Sequence, residues 1–67
     1  MTIFINSQRK DLPDEVNTVS KLLAYLKIPS AGTGVGVNNK SVPARNWEAT
    51  SLQENDRVMI ISATYGG

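Results

Sequence analysis

Only one stretch of this 67-residue sequence repeats its apolar residues at helical spacing, and that stretch constrains everything around it. Val19, Leu22, Leu23 and Leu26 follow an i, i+3, i+4, i+7 pattern, which gathers them into one stripe along a helix. Thr18, or Asn17 before it, is suited to cap the start by accepting from a free amide one turn in. Pro29 ends the segment, and Lys27 in the last turn suits the negative end of the helix dipole. A helix from about Thr18 to Leu26 with one apolar stripe needs a second layer to cover that stripe.

The remaining segments supply strands. Met1 to Asn6 is rich in β-branched and aromatic residues, and Ser7-Gln8 reads as a turn into a returning strand from Arg9 to Leu12. Pro13 ends that strand because it donates no ladder hydrogen bond. Ser30 to Gly34 is a loop of small residues. Val35-Gly36-Val37 and Ser41-Val42 flank Asn38-Asn39-Lys40, a tight hairpin in which asparagine tolerates positive φ. Pro43 to Thr50 reads as a less regular strand or bulge carrying Trp47, and Ser51 to Asp56 as a polar turn. Arg57 to Ser62 is the most strand-like run in the chain. The expected fold is α+β: a mixed sheet of four to five strands with one main helix packed on one face. The opening hairpin and the final strand are expected at its centre. Residues 1–62 form the expected domain, and 63–67 an expected flexible tail.

Side chains alternate along a strand, so if Val58 and Ile60 face the helix then Met59 and Ile61 face outward. Apolar groups on an uncovered sheet face can mark a docking surface. Trp47 is expected to pack over the edge of the core. Arg45 is expected at the surface, with partner contact as the alternative to plain solvation.

Composition excludes several chemistries. There is no cysteine and no histidine, so no disulfide, side-chain persulfide or histidine-based triad can form. The acidic pairs Asp14-Glu15 and Glu54/Asp56 lie in turns, where solvated carboxylates are the rule. Gly32-Thr33-Gly34-Val35-Gly36 follows a helix and enters a strand, the reverse of a phosphate-binding loop. Seven basic residues stand against six acidic ones and are scattered, which argues against a nucleic-acid surface. No apolar run reaches membrane-spanning length and nothing at the N-terminus reads as a signal peptide, so a cytoplasmic protein is expected.

The chemistry is left to the C-terminus, Gly66-Gly67, with a plain frayed end as the alternative reading. Glycines let a backbone enter a narrow channel, and the terminal carboxylate is ionised at neutral pH, ready to attack an activated phosphate. Five extended residues from Ala63 onward reach roughly 16 to 18 Å.

Taken together, these residues resemble the ThiS family of sulfur carriers in thiamin biosynthesis. The resemblance runs through Ile3-Phe4-Ile5-Asn6, Thr18-Val19, Leu22-Leu23, Val37-Asn38, Val42-Pro43 with Arg45 and Trp47, Leu52, Asp56-Arg57-Val58 and the Gly-Gly end. It implies a ubiquitin-like β-grasp fold. It also implies that an adenylyltransferase uses Mg-ATP to form an acyl-adenylate on Gly67. A sulfur donor then makes a thiocarboxylate, and thiazole synthase takes the sulfur. The chain itself would be a carrier co-substrate and not an enzyme, would bind no cofactor of its own, and would be monomeric when free. Gly67 would carry the sulfur, with Gly66 giving clearance. Tyr65 departs from the small or Gln residue common before the diglycine. Met59, Ile61 and Arg45 are the candidate docking residues. The small subunit of molybdopterin synthase and a ubiquitin-like protein modifier are the rival readings, since both use the same acyl-adenylate.

Overall fold

The computed structural model describes residues 1–62. Five strands, β1 (Thr2–Ile5), β2 (Gln8–Asp11), β3 (Gly34–Val37), β4 (Lys40–Val42) and β5 (Arg57–Ile61), form one mixed sheet. Their order is β2-β1-β5-β3-β4, with β1 and β5 parallel and every other pair antiparallel. One helix, α1 (Val19–Tyr25), and one 3-10 turn (Ala44–Asn46) complete the described elements.

The helix forms where the stripe predicts it. Thr18, and not Asn17, is the cap: its backbone is extended and its Oγ1 accepts from the Lys21 N–H at 3.1 Å. Val19, Leu22 and Leu23 are buried and Leu26 packs partly against them. Lys27 lies one residue past the cap, not in the last turn, with a left-handed φ of 59°. There the Ile28 N–H reaches the Leu23 carbonyl at 2.9 Å and the Lys27 N–H reaches that of Ala24 at 3.1 Å. This is a Schellman ending, and it turns Ile28 into the core.

Both hairpins are closed by two-residue turns with positive φ at both positions. Asn38 and Asn39 form the β3–β4 turn. The first turn is Asn6-Ser7, one residue earlier than the sequence suggests, so β2 begins at Gln8. Mirror-image turns of this kind match the twist of the paired strands, and among residues with a side chain asparagine is one that tolerates them well. The opening hairpin is only half central. β1 sits beside β5, whereas β2 is an edge strand with all four residues exposed. Its Gln-Arg-Lys-Asp sequence protects a free edge from pairing with other chains.

The core lies between helix and sheet: Ile3, Ile5, Val35, Val58 and Ile60 from the strands, and Val19, Leu22 and Leu23 from α1. Pro43 to Thr50 is not a strand. It coils as the 3-10 turn, followed by a further turn, closed by local bonds from the Asn46, Trp47 and Ala49 N–H groups to the Pro43, Ala44 and Asn46 carbonyls, and its later carbonyls serve the helix. The Trp47 and Thr50 carbonyls accept from the Ser20 and Val19 N–H groups at 3.1 and 3.0 Å, satisfying first-turn donors of α1. Trp47 is buried as expected, and its Nε1–H donates to the Val42 carbonyl at 2.9 Å. Leu52, inside the segment expected to be a polar turn, is also buried. Among the described residues, no helix is long and apolar enough to cross a membrane.

Candidate functional site

The sheet has two unlike faces because every strand alternates. On β5 the burial runs exposed, buried, exposed, buried, exposed from Arg57 to Ile61. Val58 and Ile60 therefore belong to the core, and Met59 and Ile61 stand on the opposite, uncovered face at 53% and 70% exposure. Phe4 of β1 alternates onto that same outer face and is half-buried there.

Glycines shape this face into a trough. In the antiparallel register Gly34 lies opposite Ile61 and Gly36 opposite Met59, so β3 contributes no side chains beside two exposed apolar groups. A Cβ added at Gly36 would lie 3.4 Å from the Lys40 carbonyl oxygen, whereas one at Gly34 would meet nothing within 4 Å. The trough encloses about 770 Å³, with Phe4, Met59 and Ile61 as apolar walls and Lys40 and Arg57 as its charged lining residues. An acidic partner rim would complement those two cations.

Of the residues singled out from the sequence, Met59 and Ile61 come together on this face. Arg45 is exposed on the 3-10 turn and does not line the trough. Tyr65, Gly66 and Gly67 lie outside the described residues. The sequence reading missed Phe4, Gly34 and Gly36 as parts of the site. Strand alternation predicts the outward side of Phe4, but the two glycines become visible only once β3 is known to pair with β5. Among the described residues no three acidic, histidine or cysteine side chains gather as a metal site.

The end of β5 is held from both sides. On one side it pairs with β3. On the other, β1 has already ended, and the Asn6 carboxamide continues in its place: Oδ1 accepts the Ile60 N–H at 2.8 Å and Nδ2 donates to the Ile60 carbonyl at 3.0 Å. Asn38 anchors the beginning of β5 on the β3 side, accepting the Arg57 N–H at 2.9 Å on Oδ1. Asp56 ties this corner together, accepting from Asn38 Nδ2 at 3.0 Å and from the Gln53 N–H at 2.8 Å.

A five-stranded mixed sheet that grips a single helix, with its first and last strands parallel at the centre, is a β-grasp fold of the ubiquitin-like class. Comparison with known proteins narrows the class to one family. The ThiS family model matches residues 2–67, and the chain belongs to that family. Two solved structures from Geobacter metallireducens share the fold, and each covers 100% of this chain at 23% identity. One is a crystal structure of the thiamine biosynthesis protein ThiS, with a TM-score of 0.82 and 100% of its own length covered. The other is a solution structure of a thiamine biosynthesis protein, with a TM-score of 0.79 and 88% covered. No curated protein matches by sequence.

Proposed function

We propose that this protein is a sulfur carrier for thiamin biosynthesis, acting as a co-substrate and not as a catalyst. The observation that carries the reading is membership of the ThiS family over residues 2–67, a span that includes the terminal Gly66-Gly67. In this reading a carboxylate oxygen of Gly67 attacks the α-phosphorus of Mg-ATP held by an adenylyltransferase, and pyrophosphate leaves. The acyl-adenylate makes a poor electrophile reactive, and a sulfur donor displaces AMP to leave a thiocarboxylate. Thiazole synthase then takes the sulfur. Gly66 gives the backbone clearance in a narrow channel, and Tyr65 stands at its entrance.

The outer face around Met59 and Ile61 is the proposed docking surface for the adenylyltransferase, because apolar side chains this exposed on an uncovered sheet favour a partner. Arg45 is a secondary candidate contact outside the trough. Residues 63–67 act as the tail that enters the partner, and a cytoplasmic location follows from the pathway.

Intact-mass spectrometry tests the reading. Protein incubated with the adenylyltransferase, Mg-ATP and a sulfur donor should show one oxygen replaced by sulfur at the C-terminus. An unmodified carboxylate under those conditions would reject it. Conjugation to lysines of other proteins in place of the thiocarboxylate would favour the modifier reading.

A further inference from the structure

Each hairpin turn begins with an asparagine at positive φ, and each of these asparagines reaches β5. The two contacts differ in what else is available. β1 pairs with β5 at Phe4↔Arg57 and Ile5↔Val58 and then stops, while β5 continues to Ile61. Ile60 is buried, and its N–H and carbonyl both bond the side chain of Asn6. A side-chain amide therefore supplies the rung that the β1 backbone does not extend far enough to make. The Asn6 N–H itself donates to the Val58 carbonyl at 2.9 Å, so the residue spans the last two rungs on this side of β5.

Ile60 stands between Met59 and Ile61 on the chain, and beyond Ile61 the sequence runs on to Gly66-Gly67. A partner that docks on the outer face and receives the C-terminus is served by a strand end that holds the face and the chain's exit point together. We propose that Asn6 is a positioning residue: its carboxamide fixes the end of β5, and with it the point at which the chain leaves the Met59–Ile61 face. The proposal rests on the carrier reading above. Without the carboxamide, the end of β5 must be ordered when the partner binds, and that cost falls on association and not on the chemistry that follows.

Asn6→Gly removes the carboxamide while keeping a residue at ease with positive φ. Asn38→Gly makes the same change at the opposite end of β5 and serves as the control. For both variants, amide hydrogen exchange along β5 is measured, together with the kinetics of adenylylation by the adenylyltransferase with Mg-ATP. In Asn6→Gly, exchange at the Ile60 amide should accelerate about tenfold or more while Val58 stays protected. KM for the carrier should rise about three- to tenfold with kcat nearly unchanged, the pattern of lost binding. Asn38→Gly should accelerate exchange at the Arg57 amide by a similar factor and leave KM near the wild-type value. Equal KM for Asn6→Gly and wild type would overturn the positioning role. So would an equal rise in both variants, because stability alone would then explain it, or an unchanged Ile60 exchange rate. A wild-type chain that is never adenylylated would reject the carrier reading and take the positioning role with it. Failure of the variant alone leaves that reading standing.

Discussion

Asn38 satisfies both backbone groups of Arg57: its N–H donates to the Arg57 carbonyl at 2.7 Å, and its Oδ1 accepts the Arg57 N–H at 2.9 Å. One turn residue thus closes the β3–β4 hairpin and anchors the start of the central strand. Replacing it by alanine loses the side-chain bonds and strains the left-handed turn. The expected cost is about 2 kcal/mol, read by denaturant unfolding. Glycine at the same position should cost less, because it relieves the turn.

Lys27 adopts a left-handed conformation that glycine enters freely. Lys27→Gly should therefore stabilise the domain, by roughly 1 kcal/mol, despite removing a charge. A lowered unfolding midpoint would show that the lysine makes a contribution the Schellman geometry does not explain.

Leu22 is fully buried under the sheet. Leu22→Ala should cost about 2 to 5 kcal/mol. A domain of this size has a stability of only roughly 3 to 10 kcal/mol, so the variant should be partly unfolded near physiological temperature. Circular dichroism melts would register the loss directly.

The docking face can be tested without disturbing the core. Gly34 has an ordinary strand conformation and open space where a side chain would project. Gly34→Val should fill the trough while preserving or slightly raising stability, since valine suits strands. Affinity for the adenylyltransferase, measured by calorimetry, should fall. Met59→Asp and Ile61→Asp should also weaken binding, by about tenfold or more if the two side chains are buried on docking. Arg45→Ala should have a smaller effect, because that residue lies outside the trough. Unchanged affinity in all three face variants would move the docking site elsewhere.

Deleting Gly67 separates cargo from scaffold. Loading should be abolished while the unfolding midpoint stays within about a degree of wild type, since the described core runs from Ile3 to Ile60 and chain ends tolerate change. A large loss of stability would give the C-terminus a structural role.

Local order was legible in the sequence. The helical period of Val19, Leu22, Leu23 and Leu26, the stop before Pro29, the Asn38-Asn39 hairpin and the alternation from Val58 to Ile61 depend on near neighbours, and each appears in the structure, whereas the first turn falls at Asn6-Ser7, one residue before its expected place. The ThiS resemblance was also carried by the residues themselves. Tertiary structure alone decided what is joined across long separations. Asn6 meets Ile60 across 54 positions, and β5 enters between β1 and β3, leaving β2 at an edge. It also brings two glycines beside Met59 and Ile61. The segment from Trp47 to Thr50 gives carbonyls to the first turn of the helix, a use that the segment's own residues do not reveal. Periodicity and turn preference are fixed by adjacent residues. Strand order and borrowed hydrogen bonds are fixed by which unpaired backbone groups the closed fold leaves to be satisfied.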